Sequence, residues 1–328
     1  MKLRDLKSMA RPFTLLPPLL GILSGAICAF GSVHNPDPSH HLTATIVLTV
    51  VLGSACASLM NAASNILNQI ADLEIDRVNK PGRALPSGRV SLKEAWLVTT
   101  GGYLLALGPT WFVVPHPYDT WAAKFHAPIA AHVCFFIYLA GMLFTLIYSL
   151  PAFGRTKCLG WLANVTISIP RGTLLKVAGW SMVAPIWSAE PWWIGSIFGL
   201  FLLGASSTKD FSDMDGDARG GCRTLPIMYG PRRAIRLMAP SFILPWLLMP
   251  LGVLLPDPGN PSHPVLTGNP AVLIGLGLVL TLWGLITIRM MSRDPHALAT
   301  VENHPSWTHM YLMMMTAQIG FAAAYLLT

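Results

Sequence analysis

Apolar residues run along this chain in long blocks separated by short polar segments. Nine blocks approach the ~20 residues that a helix needs to cross a bilayer: 13–32, 43–71, 94–114, 127–150, 159–187, 192–208, 237–255, 270–289 and 308–327. The pattern predicts an all-α integral membrane protein, with about nine transmembrane helices enclosing a central cavity in one unit over 1–328. The fifth block carries Pro170, Arg171 and Lys176. A proline and two cations inside a membrane helix predict a broken helix that lines a polar cavity. The opening MKLRDLKSMARP is basic, but the apolar run after it is too long for a signal-peptide core and lacks a small-x-small cleavage site. It reads as the approach to the first membrane helix.

Composition agrees. The chain is 53% hydrophobic and 11% charged, against about 25% charged for soluble domains. The net charge of +7 would suit nucleic acid, but its distribution argues otherwise. With the N-terminus in the cytoplasm and nine crossings, nineteen of the 22 Lys and Arg residues fall on the cytoplasmic side. That is the positive-inside bias of membrane proteins, and it excludes nucleic acid as the expected partner in favour of the lipid bilayer. Outer loops rich in Pro, Gly, Asn and His read as turns, the adjacent His40 and His41 included. The five cysteines, Cys28, Cys56, Cys134, Cys158 and Cys222, are scattered without a CxxC. They read as small buried hydrophobes, with no sign of a disulfide.

Two cytoplasmic segments concentrate the acids. NQIADLEIDRVNKPGRALPSGR follows the second block and KDFSDMDGDARGGCRTLPIMYG the sixth. Each is the end of an apolar helix, then carboxylates at i, i+4, then a Gly-containing basic loop, a weak internal repeat. Residues three and four apart share a helix face. Asn65, Asn68, Asp72 and Asp76 form one stripe, and Asp210, Asp213 and Asp217 another, whereas Glu74 and Asp215 point elsewhere. Like charges at this spacing repel, so something must offset them. Hard carboxylate oxygens suit Mg2+, which binds through one or two carboxylates plus substrate phosphates. Arg77, Lys80, Arg83, Lys157, Lys209 and Arg223 lie nearby to take the remaining phosphate charge. Arg171 and Lys176 are expected in the cavity wall, against diphosphate or acceptor. Tyr148 fits either a hydrogen bond to diphosphate or an aromatic belt. A cation-coupled transporter would also use intramembrane acids, but near the midplane rather than at helix ends.

NQIADLEIDRVNKPGRALPSG resembles the first signature of the UbiA superfamily of intramembrane prenyltransferases, NDxxDxxxD followed by a basic loop ending in PSG. KDFSDMDGDARGGCRTLP resembles the second, a DxxxD followed by Gly and a Thr-Leu-Pro stretch. Arg11-Pro12 and Tyr148-Ser149-Leu150-Pro151 stand where that family has RP and YSxP. The resemblance implies transfer of an isoprenoid from an allylic prenyl diphosphate of C10–C20 to a lipophilic or aromatic acceptor, with Mg2+. It implies that Asn68, Asp72, Asp76, Asp213 and Asp217 hold the Mg2+–diphosphate, supported by Asn65 and Asp210, with Arg77, Lys80, Arg83 and Lys157 on phosphate. Gln69, where the motif usually has Asp, and Arg171-Gly172-Thr173-Leu174-Leu175 are similar to homogentisate prenyltransferases. They imply an aromatic, homogentisate- or hydroxybenzoate-like acceptor. Lys176 and Ala152 depart from that subfamily, and GGCRTLPIMYG equally resembles the lipid-alcohol branch and chlorophyll synthases. Terpene cyclisation, known in UbiA-like proteins, would use the same ionisation motifs.

Overall fold

Helices account for the secondary structure of the described residues, 2–301 and 304–328 of a computed structural model, in which the side chains of residues 78 and 79 are left undescribed. An amphipathic α1 (Leu3–Ala10) leads through a tight turn, Pro12–Leu15, into α2 (Leu16–Gly31). Then come α3 (Ala44–Ala71), α4 (Leu73–Asn79), α5 (Leu92–Leu107), α6 (Trp121–Phe125) and α7 (Val133–Ser149). The fifth apolar block is α8 (Trp161–Ser168), a wide turn at Ile169–Leu174, and α9 (Leu175–Trp180). After these follow α10 (Ala189–Ala205), α11 (Met214–Arg219), α12 (Leu225–Tyr229), α13 (Pro231–Leu254), α14 (Pro270–Arg293), α15 (Ala297–Thr300) and α16 (Pro305–Leu326).

Each of the nine apolar blocks coincides with a helical rod. Four are long and apolar enough to cross a membrane by length and composition: Pro12–Gly31, Ala44–Ala71, Pro231–Leu254 and Pro270–Arg293. Nine crossings remain a proposal, because the other rods are shorter, broken or more polar. The seventh rod begins at Pro231, six residues before the apolar block. A first-turn proline needs no N–H and presets the helical φ, so the basic stretch Arg232–Arg236 is helical as well.

The break in the fifth block follows from Pro170, which has no N–H to donate and crowds the preceding turn. The rod continues by widening into a single π-type turn, a feature frequent at functional sites. Gly172 lets that turn lie against α10, since a Cβ there would come within 2.5 Å of the Gly199 Cα. Arg171 is thereby held beside the interior. Buried Phe198, Phe201, Phe242, Trp246 and Phe321 form an aromatic core between α10, α13 and α16.

Contacts sort the loops into two ends. At one, Glu190 accepts hydrogen bonds from Ser32 Oγ (2.5 Å), the Thr267 N–H (2.6 Å) and the Tyr325 hydroxyl, joining four distant segments. At the other, Arg89 Nε pairs with Asp5 (3.1 Å) and Lys80 reaches towards Asp213 (3.7 Å). That second end collects the basic loops and both acidic segments.

Candidate active site

The two acidic segments share one backbone design. The α3 rod does not run on through its acids but breaks at Asp72, where φ/ψ is −99°/9°, and restarts as α4. The second segment breaks at Asp213, at −100°/4°, and restarts as α11. In both, the amide four residues on returns to the break carbonyl: Asp76 N–H to Asp72 O (2.8 Å) and Asp217 N–H to Asp213 O (2.9 Å). The weak internal repeat of the sequence is thus a repeat of local structure. The break aims each second carboxylate back along its short helix instead of further down one rod.

Both pairs line one polar cavity of about 520 Å³. Asn68, Asp72 and Asp76 form one wall, Asp210, Asp213 and Asp217 another, and Lys80, Arg83, Lys157, Lys209 and Tyr148 complete it. Asp215, which helical spacing turned away, stands exposed at the same cavity. The α11 turn is too short for a strict face to hold.

Cations meet the first pair directly. Lys157 Nζ and Arg155 Nη2 (3.1 Å) both donate to Asp72 Oδ1, and Arg83 Nη1 donates to Asp76 Oδ2 at 2.5 Å. The second pair is less compensated. Burial pushes the Asp217 carboxyl up to about 6, with the nearby charge of Asp213 adding to it. Burial likewise pushes Asp210 up to about 7, with Asp217 and Asp213 adding. Among the described residues no three of His, Cys, Asp and Glu close into one metal cluster. The donor set nevertheless fits a hard dication with phosphate: carboxylate and amide oxygens on two walls and short of positive charge on one. Thr224 Oγ1, buried with no hydrogen-bond partner among the described residues, belongs to a residue of the same cavity wall. Its hydroxyl would donate to such a ligand's oxygen.

Three sequence-derived assignments change. Asn65 is not in the wall of the polar cavity. With Asn61 and Gln69, at i, i+4 and i+8, it forms a polar ladder along α3. Asn61 Nδ2 donates to Thr14 O, Asn65 Nδ2 to Ala10 O and Thr14 Oγ1, and Gln69 Nε2 to Met9 O, each at 2.9 Å. The ladder straps residues 9–14 against α3. Between the strapped positions Arg11 takes a left-handed conformation, φ 52°, and lines the polar cavity. Gln69 therefore has a structural duty, and it also lines the polar cavity. In the sequence Arg11 stands out only through the Arg11-Pro12 likeness, because no spacing rule connects residue 11 to residues 72 and 213.

Arg77 is also misplaced by the sequence reading. It points to solvent and pairs with Glu74 (2.8 Å) on the exposed side of α4. Arg77→Ala should leave diphosphate turnover within about twofold, the ~0.5 kcal/mol scale of surface changes. A larger loss in steady-state assays would return Arg77 to the site. Lys176, expected in the cavity wall, is fully buried instead. Its Nζ donates to Ser24 Oγ at 2.5 Å and lies 4.1 Å from the Phe198 ring centroid, between α2 and α10. Five residues apart, Arg171 and Lys176 stand about 140° apart around an α-helix and do not share a face. A buried cation with an alcohol and a ring for partners is costly to hold. Lys176→Met should keep turnover and leave the melting midpoint unchanged or higher; loss of turnover in a folded variant would contradict the placement.

The polar cavity opens inward at Asn68 and Tyr148. Both also line an apolar cavity between α3, α7 and α8, with Met60, Ile137 and Phe144. Both also line a cavity of mixed character beside α16, where Arg11, Lys209 and Asp210 stand with Leu202, Met310 and Met314. Arg171 lines the apolar and the mixed cavity but not the polar one. Ser149 Oγ donates to Asn68 Oδ1 at 2.5 Å and fixes that amide at the junction. The sequence offered Tyr148-Ser149-Leu150-Pro151 only as a family likeness, without this role for the serine.

Cys158 and Cys222 are joined in a disulfide, against the expectation of separate thiols. A separation of 64 residues without a local motif gave the sequence no signal for it.

Residues 18–302 match the model of the UbiA prenyltransferase family. The chain is 29% identical over 231 residues to the bacteriochlorophyll synthase 34 kDa chain of Chloroflexus aurantiacus, covering 70% of this chain and 66% of that one. It is 27% identical over 282 residues to the digeranylgeranylglyceryl phosphate synthase of Methanopyrus kandleri, covering 86% and 90%. A solved UbiA homologue from Archaeoglobus fulgidus, bound to DMAPP and Mg2+, superposes with a TM-score of 0.65 at 18% identity, over 99% of this chain and 100% of that one. At that identity the likeness speaks for the fold.

Proposed function

This chain belongs to the UbiA prenyltransferase family, and from that premise we propose that it moves a prenyl group from a C10–C20 diphosphate to a lipophilic acceptor with Mg2+. One observation carries the reading. The cavity that holds both acidic pairs shares Asn68 and Tyr148 with an apolar cavity and with one of mixed character. A molecule with a highly anionic head and an apolar tail fits that shape, its C–O bond lying at the junction.

Asn68, Asp72, Asp76, Asp213 and Asp217 would hold Mg2+, which supplies Lewis-acid stabilisation of the departing diphosphate. Lys157 and Arg155 are poised on Asp72 to transfer their hydrogen bonds to phosphate oxygens, and Lys80, Arg83, Lys209 and Arg11 surround the same space. Fixed positive groups aimed at the leaving oxygens stabilise charge as it develops. The apolar walls keep water from the allylic cation at the junction. Arg171, in the wall of both the apolar and the mixed cavity, would orient an acceptor's polar group.

For the acceptor, an oxygen nucleophile on a polar lipid has better support than an aromatic ring. Lys176 lies off the cavity, and Gln69, although it lines the polar cavity, commits its amide N–H to Met9 O, so neither feature favours an aromatic ring. The relatives named above are synthases of a bacteriochlorophyll and of a digeranylgeranylglyceryl phosphate. The test is mass spectrometry of products from purified protein given Mg2+ and C10, C15 and C20 diphosphates, with phenolic acids, glycerol phosphate lipids or chlorophyll precursors. A prenyl ether or ester is expected. A C-prenylated phenol would restore the aromatic acceptor, and a hydrocarbon formed without acceptor would establish cyclisation.

The N-terminus and the active-site loops are placed in the cytoplasm in this proposal, on the distribution of Lys and Arg.

A further inference from the structure

The disulfide stands in the wall of the polar cavity. Cys222 lines that cavity and is 4% exposed, and Cys158 directly follows Lys157, whose Nζ is on Asp72. On the other strand of the link, the Cys222 N–H donates to Asp217 O at 2.8 Å. The neighbouring Arg223 N–H donates to Cys158 O at 3.0 Å, forming an isolated bridge between Leu159 and Arg223. The covalent bond therefore ties the loop that carries Arg155 and Lys157 to the loop that carries Asp213 and Asp217. These are the cationic and anionic halves that must meet around one ligand. Cys28, Cys56 and Cys134 are buried elsewhere as free thiols.

Compartment gives this placement meaning. Structural disulfides belong to oxidising compartments, whereas on the cytoplasmic side a disulfide is transient and redox-sensing. The basic end of the molecule carries the pair.

We infer that Cys158 and Cys222 form a reversible thiol–disulfide switch that sets the rate of prenyl transfer by locking the two loops of the clamp together. Closing it removes two protons and two electrons from the thiols and reduces a disulfide oxidant of the glutathione type to two thiols. Opening it returns them from a dithiol, through a mixed disulfide. The closed form holds Lys157 and Asp217 in the geometry described above and is the faster one. In the open form a single backbone hydrogen bond joins Cys158 to Arg223, and the loops separate. This inference rests on the proposed function and on the cytoplasmic placement of the clamp.

The test uses purified full-length protein in lipid nanodiscs, equilibrated in glutathione buffers from oxidised to reduced. Diphosphate release is measured alongside the fraction of thiols that take up a maleimide mass label. Wild-type turnover should fall by about 10- to 100-fold, the scale for lost support behind metal ligands, in step with labelling of Cys158 and Cys222, and recover on reoxidation. Cys28→Ser should keep this response. Cys158→Ser and Cys222→Ser should each stay at the slow rate and ignore dithiothreitol. Turnover that holds steady while labelling shows the pair open would overturn the switch, as would a pair that never closes in oxidised glutathione. If neither form turns over, the proposed function fails by itself. The switch is then judged by whether Mg2+ with geranyl thiolodiphosphate slows opening of the pair by dithiothreitol; an unchanged opening rate sinks it.

Discussion

Asp72→Ala and Asp213→Ala should each lower diphosphate release by about 10²–10³-fold, the loss that follows when one group stabilising a developing charge is removed. Asp72 and Asp213 occupy equivalent backbone breaks, at −99°/9° and −100°/4°, so the two variants should resemble each other despite lying on opposite walls. Each has a second consequence. Without its carboxylate, Asp72 leaves Lys157 and Arg155 unpaired beside Arg83, and Asp213 leaves Lys80 so. The unpaired cations do not replace a metal-held contact, so KM should rise as kcat falls. Steady-state kinetics on both variants checks this. Normal turnover in either would remove its wall from the site.

Lys157→Met should be the most damaging of the cation substitutions, at about 10²-fold in kcat/KM. Lys157 is largely withdrawn from solvent, 12% exposed against 55% for Arg77. Screening by water is weaker there and its charge counts for more. Methionine keeps the length and apolar stem of the side chain, so the loss reports on the ammonium. Because Lys157 meets phosphate before and during ionisation, both KM and kcat should move. The comparison with Arg77→Ala, a change of similar formal charge on the exposed side of α4, separates position from net charge. Equal effects of the two would show that only overall electrostatics matters.

Sequence and structure agree where the physics is local. Apolar blocks gave the rods because a bilayer-length run has few other ways to satisfy its backbone. Pro170 announced the break in the fifth rod. The paired acids were legible as two sites because i, i+4 carboxylates at helix ends need an explanation whatever the fold. What escaped depends on contacts between distant parts of the chain. Asn65 and Gln69 looked like neighbours of the acids, yet their amides donate to Met9, Ala10 and Thr14, more than fifty residues away. Arg11 and Arg155 reach the acids from left-handed backbone positions, φ 52° and 43°, which non-glycine residues adopt rarely and helical periodicity does not describe. Lys176, five residues on from Arg171, falls about 140° round the rod from it and so faces the packing between α2 and α10. The pairing of Cys158 with Cys222 required knowing that two loops meet.

The central claim is that two walls, one from each acidic segment, hold one metal–diphosphate head. Calorimetric titration of geranyl thiolodiphosphate, a non-ionising substrate analogue, into the protein in nanodiscs tests it most directly, with and without Mg2+. The account predicts binding that requires Mg2+ and is lost in both Asp72→Asn and Asp213→Asn. Binding that is indifferent to Mg2+, or that survives loss of either carboxylate, would contradict it.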